Sequence, residues 1–185
     1  MTAAVSVLAF AGRRIDAPDS SAPRFPSQNV ARVERALAAL FDGRAIAAVV
    51  GAGACGADLL ILEAARAHGV RTHLVLPFEA ARFRETSVVD RGAEWGPRFD
   101  LALEHAEQHG RVLVIPATTG SDDEAYARTT EVIFEEAARL ARELSAARAA
   151  LAVWDQNPRS NADATLQFLD LAKQQQLECI ELQTL

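Results

Sequence analysis

The chain has 185 residues, 50% of them hydrophobic and 24% charged, and its 19 basic side chains against 25 acidic ones leave a formal charge of −6. A chain of this length reads as a single domain over residues 1–185, able to bury roughly 70% of its unfolded surface without disulfides or structural metal. The acidic balance, with an isoelectric point near 5.2, argues against a phosphate-backbone partner, which needs a basic face to release counterions, so no nucleic acid is expected.

Val5–Phe10 is a continuous apolar run with β-branched residues, ended by Gly12, and predicts a strand buried on both faces. No basic segment precedes it, and Arg13-Arg14 follow rather than lead, the reverse of an export signal. The stretch from Gly12 to Pro26, with Pro18, Pro23 and Pro26, is long for a connection and predicts a lid or a disordered segment. Val30, Val33, Leu37 and Phe41 then recur at helical spacing behind Pro26-Ser27, a candidate N-cap.

Ala45–Val50 predicts the second strand, and the glycine-rich turn Gly51–Asp58 leads into an amphipathic segment containing Leu59, Leu60, Leu62 and Glu63. Thr72–Leu76 predicts the third strand, and Trp95, Phe99, Ala102, Leu103 and Ala106 a helix. After the strand Arg111–Ile115, Ser121-Asp122-Asp123-Glu124 is a capping box, and Thr129, Val132, Ile133, Leu140 and Leu144 supply the apolar stripe of a long helix. Ala150–Trp154 is the fifth strand, a last helix follows Asn161, and Glu178–Leu182 suits an edge.

Strands alternating with helices predict an α/β fold: a doubly wound, Rossmann-like parallel sheet of about six strands with helices on both faces. The longest uncharged run, Ala45 to Ala57, is too short and too rich in glycine to span a bilayer, so no membrane partner is expected. Two cysteines, Cys55 and Cys179, with no mark of pairing, suit a reducing, cytoplasmic setting.

The chemistry centres on Gly51-Ala52-Gly53-Ala54-Cys55-Gly56-Ala57-Asp58. Glycines at a strand-to-helix turn let backbone amides approach an anion, and the helix start adds unpaired N–H groups and partial positive charge. The same glycines would equally permit close packing alone. The Gly-x-Gly-x-x-Gly spacing follows the second strand, not the first, which discounts ordinary dinucleotide binding. Asp58 would accept ribose hydroxyls, hold Mg²⁺ through water beside a nucleotide, or simply cap the helix. Cys55 has no neighbouring base and reads as a small buried residue.

Arg13 and Arg14, just past the first strand, are candidate phosphate clamps or surface arginines paired with Asp16 and Asp19. His105 and His109 are four apart but lack a metal-site pattern, and Trp154 either stacks on a base or caps the core.

The order of strand, Gly12-Arg13-Arg14 loop, helix, strand, Gly51–Asp58 turn, helix with Glu63, and strand ending Leu76-Pro77-Phe78 resembles the SLOG superfamily. That group of Rossmann-like domains includes the LOG phosphoribohydrolases, the DNA-processing DprA proteins and the ligand-sensing domains of TRPM channels, and the likeness is nearest to bacterial SLOG domains that stand alone or are fused to signalling modules. The resemblance implies a nucleotide-derived ligand and adds Ser87, after the Pro-Phe, to the site. LOG-type enzymes carry Pro-Gly-Gly-x-Gly-Thr-x-x-Glu after the fourth strand, where this chain has Pro116-Ala117-Thr118-Thr119-Gly120-Ser121, so their catalytic machinery is not carried over.

With the strand order 3-2-1-4-5 of the fold class, the tips after strands two, one and four would share one crevice, with Trp154 one strand farther away. The expectation is a nucleotide or nucleotide-derived small molecule held there by Gly12, Arg13, Arg14, Gly51, Ala52, Gly53, Ala54, Cys55, Gly56, Asp58, Pro77, Ser87, Thr118 and Gly120. No cofactor or resident metal is expected beyond Mg²⁺ accompanying the ligand. Sensing without catalysis is preferred. The alternatives are hydrolysis of the N-glycosidic or phosphate bond, with Asp58 and Glu63 as the catalytic candidates, and a homodimeric scaffold packed through the helix from Asp123 to Ala147.

Overall fold

In the computed structural model, which describes residues 5–116 and 120–185, the chain forms one parallel sheet of six strands: β1 (Ser6–Gly12), β2 (Ile46–Gly51), β3 (Arg71–Leu76), β4 (Arg111–Val114), β5 (Ala147–Trp154) and β6 (Glu178–Gln183). Between them lie α1 (Val30–Gly43), α2 (Ala57–Ala67), α3 (Ala80–Ser87), α4 (Trp95–His109), α5 (Asp122–Glu143) and α6 (Ala164–Gln174). The α/β class and all six strands agree with the sequence.

Apolar residues on both faces of the strands force helices onto both sides of the sheet. On β5, Ala149, Leu151 and Val153 join the core beneath α1, α2 and α4, while Ala150, Ala152 and Trp154 join the core beneath α5 and α6. This is the two-residue alternation of a strand buried on both sides. The α5 side is lined by small residues, Ala9, Ala48, Ala150 and Ala152, against Ala137 and Ala141 of the helix.

The strand order is β4-β3-β2-β1-β5-β6, which corrects the expected 3-2-1-4-5. The chain steps outward from β1 to β4 and only then returns to lay β5 beside β1. The reversal therefore falls between β1 and β5, where Gly12 pairs with Val153. Trp154 consequently stands next to the first strand rather than one strand away, and the loop after β4 lies at the far edge beside β3.

Local structure departs from the sequence reading at three places. Ala80–Ser87 is helical without having shown an apolar stripe, because only Phe83 and Ser87 on it are buried. The segment from Gly12 to Pro26 is neither lid-like nor loose: Asp16 Oδ2 accepts from the Arg24 and Phe25 amides at 2.8 and 2.9 Å, Asp16 N donates to Phe25 O, and Phe25 is fully buried. Ser27 starts a short 3₁₀ turn, Ser27–Asn29, and makes no side-chain cap.

Candidate functional site

The carboxyl ends of β1 and β5 form the crevice at the reversal point, the place where open α/β sheets bind ligands. Here it is filled by protein. Arg13, 8% exposed, donates from Nε to Asp155 Oδ1 at 2.7 Å and from an Nη to Asp163 Oδ1 at 2.7 Å and Thr165 Oγ1 at 3.2 Å. Its guanidinium also sits 5.2 Å from the Trp154 ring centroid. Arg24 donates to the other oxygens of the same two carboxylates, at 2.9 Å to Asp155 and 3.1 Å to Asp163. Two arginines and two aspartates thus close a charge-balanced ring, and Asp163 also caps α6 by accepting from the Thr165 and Leu166 amides. Arg13 is engaged by its own chain in the position where a phosphate clamp was expected.

The glycine turn is likewise closed on itself. Asp58 Oδ2 accepts from the Gly53 and Ala54 amides, each at 3.2 Å. The Cys55 amide donates to Ser87 O and the Ala57 amide to Arg13 O, while Cys55 O accepts from the Ile15 amide. An anion seated on this turn would compete with Asp58 for the Gly53 and Ala54 donors. Gly53 and Gly56 have φ of +117° and +100°, a region that disfavours side chains. A Cβ on Gly56 would collide with the Ile15 amide nitrogen and stand 2.8 Å from Arg13 O, whereas one on Gly53 would meet only ordinary contacts at 3.5 Å. Gly12 and Gly51 are also packing positions, against Ala57 and the Phe10 ring.

Burial pushes the Asp58 carboxyl up to about 6, opposed by the bonds from the Gly53 and Ala54 amides. Among the described residues its Oδ1 is buried without a hydrogen-bond partner, as is Nε of Arg14. Arg14 otherwise contacts Cys55 Sγ at 3.4 Å and pairs with Asp90. Burial likewise raises the Cys55 thiol, with Arg14 opposing.

Open space lies farther along the same edge, beyond β2, at the ends of β3 and β4. A cavity of about 370 Å³ is bounded by Pro77, Phe78 and Arg82 on one side, Val114–Pro116 below, and Gly120–Asp122 with Ala125 at the start of α5. Arg82 lies 3.8 Å over the Phe78 ring and forks onto both oxygens of Asp122 at 2.9 and 3.0 Å. Tyr126 stands edge-on to Phe78, with ring centroids 5.6 Å apart, and its hydroxyl meets Ser87 Oγ at 2.8 Å. The predicted capping box holds α5 in place, Ser121 and Glu124 each bonding the other's amide.

Of the residues expected at the site, Pro77 and Gly120 line this cavity, Ser87 lies behind it, bonded to the Tyr126 hydroxyl whose ring packs on Phe78, and Thr118 lies outside the described residues. Glu63 is elsewhere: it forks with Arg98 at 2.6 and 2.8 Å, on the side of α2 that faces α4. Among the described residues, no three His, Cys, Asp or Glu side chains are grouped to hold a metal ion, and no helix is long and apolar enough to cross a membrane. The sequence reading missed Arg82, Tyr126, Arg24, Asp155 and Asp163. For Tyr126 a signal was available, since it follows the capping box by less than one turn.

No family model matches the chain, and no curated protein matches its sequence. Among solved structures it is similar to DNA processing protein A (DprA) from Streptococcus pneumoniae, with 16% identity and a TM-score of 0.42, over 94% of this chain and 57% of that one. It is also similar to DNA processing protein A from Helicobacter pylori, with 15% identity and a TM-score of 0.42, over 94% of this chain and 74% of that one. This chain therefore spans little more than half of the first structure. The second is described by its single-stranded DNA binding mode, and the expectation that nucleic acid is excluded as a partner is withdrawn on that finding. A net charge averages over the whole surface, whereas a single strand is also held locally by stacking of its bases.

Proposed function

We propose that the protein binds a nucleotide-type ligand at the carboxyl edge of its sheet, with the nucleoside end in the cavity between Phe78 and the start of α5. The observation that carries this reading is the cavity itself. At about 370 Å³ it falls within the usual range for small-molecule sites of about 300–1,000 Å³, and it has apolar walls with a few polar groups. Phe78 offers a ring face once Arg82 swings aside, and Glu79 and Asp122 offer acceptors for sugar hydroxyls. The acids at the start of α5 already complement its dipole, which favours the ring and sugar over the phosphate at this end.

The same ring-and-hydroxyl chemistry is offered by a free nucleotide and by one unit of a single strand. Calorimetry with nucleoside mono- and diphosphates, ADP-ribose, cyclic nucleotides and a short single-stranded oligonucleotide tests the reading and separates the two. Phe78→Ala is expected to cost the roughly 1–3 kcal/mol of one base–aromatic stack. A panel with no binding, or binding that Phe78→Ala leaves unchanged, would refute it.

A further inference from the structure

The amino ends of β3 and β4 carry a second group of charged side chains, away from the carboxyl edge. Residues two apart on a strand share a face, and the register sets His73 beside Arg111, so Arg71, His73 and Arg111 lie on one side of the sheet. That side is the one covered by α5, since His73 Nδ1 meets Glu136 Oε1 of α5 at 2.8 Å. With Arg139, Glu143 and His109 they surround a groove of about 370 Å³.

His73 and Glu136 are each 5% exposed. Arg139 holds Glu136 through Nε at 2.7 Å and an Nη at 2.9 Å, and its other Nη reaches Glu143 at 2.7 Å. Burial raises the Glu136 carboxyl, but the bonds from Arg139 and His73 outweigh it and hold it below its usual value. Burial holds His73 below its usual pKa, against the pull of Glu136. An ionised carboxylate only accepts, so the proton of the neutral imidazole lies on Nδ1 and Nε2 presents a bare lone pair. Nε2 makes no hydrogen bond to the described residues and is not among the sealed polar atoms.

Arg71 and Arg111 flank this imidazole. Each side chain is 51% exposed, and the nearest carboxylate contacts, to Glu143 and Glu136, are 3.8 and 3.9 Å, beyond hydrogen-bond length. Among the described residues their guanidinium donors thus make no hydrogen bond, while those of Arg139 are engaged. Three arginines against Glu136 and Glu143 leave the groove positive in an acidic protein.

We propose that this groove binds a phosphate group that keeps a proton at neutral pH, with Arg71 and Arg111 donating from two sides and His73 Nε2 accepting that proton in a hydrogen bond. Bare donors alone would take any oxyanion. The acceptor makes the choice, because sulfate and carboxylate carry no proton at pH 7 to offer it. Free hydrogen phosphate keeps such a proton at pH 7, whereas a phosphate monoester, with a second pKa of about 6, has mostly lost it.

Calorimetry at pH 7 with inorganic phosphate, methyl phosphate and sodium sulfate, together with the imidazole ¹⁵N shifts of His73, provides the test. Phosphate should bind about tenfold or more tightly than sulfate, from one charge-assisted hydrogen bond, and should move the His73 Nε2 resonance. Methyl phosphate, mostly a dianion at pH 7, should bind several-fold more weakly than phosphate, and equal binding of the two overturns the role given to the proton. Arg71→Gln and Arg111→Gln, which break no hydrogen bond in the fold, should each weaken phosphate by about tenfold. Phe78→Ala should leave it unchanged, so that failure of the carboxyl-edge reading and failure of this one are told apart. Absence of phosphate binding, equal affinity for sulfate, or a double Arg→Gln variant that binds as well as the parent overturns the proposal.

Discussion

Replacing Arg13 by alanine isolates what the ring at the reversal point contributes. The carboxylates of Asp155 and Asp163 have side chains 2% exposed and would be left sharing one cation, Arg24, in place of two. Breaking a buried pair by removing one partner costs about 3–5 kcal/mol, because the stranded charge remains desolvated. Arg24 still bonds both aspartates, which puts the expected loss at the lower end, about 3 kcal/mol. The lost stacking on Trp154 adds about 0.5–1 kcal/mol. For a domain of this size, about 3 kcal/mol corresponds to a fall in Tm of roughly 6–12 °C. Urea unfolding followed by far-UV circular dichroism measures it directly. A loss below about 1 kcal/mol, the range of exposed pairs, would show that the ring is solvated and that the crevice is open to a ligand after all.

Gly56→Val should fail to fold or lose several kcal/mol, since its side chain meets the backbone of Arg13–Ile15, whereas Gly53→Val should cost only the roughly 1–2 kcal/mol of a left-handed backbone; equal losses would refute the packing assignment. Asp58, raised from 3.8 to about 6, binds its proton more tightly folded than unfolded. Stability should therefore fall by about 3 kcal/mol as pH rises from about 4 through 6, and Asp58→Asn should flatten that slope in a urea series. Ser121→Ala should cost about 1 kcal/mol by removing the cap of α5, read from the urea midpoint.

The α/β class was legible because each strand is an apolar run and each long helix an apolar stripe, signals written into neighbouring residues. Ser121–Glu124 was legible for the same reason, its partners being three residues apart. Asp58 was half legible: its place in the first helical turn predicted a cap, but not that it would turn back to the Gly53 and Ala54 amides. Strand order was not legible, since β2, β3 and β5 are similar apolar runs and nothing local tells one which neighbour it will pair with. Moving β5 beside β1 brought Asp155 and Asp163 to Arg13 across 142 and 150 residues, and that juxtaposition decided that the reversal point is sealed. Glu136 shows the same division. A carboxylate between Ile133 and Leu140 on the apolar stripe of α5 is a visible anomaly in the sequence, but only tertiary packing supplies His73, 63 residues away, because a buried charge is tolerable only where a distant partner meets it.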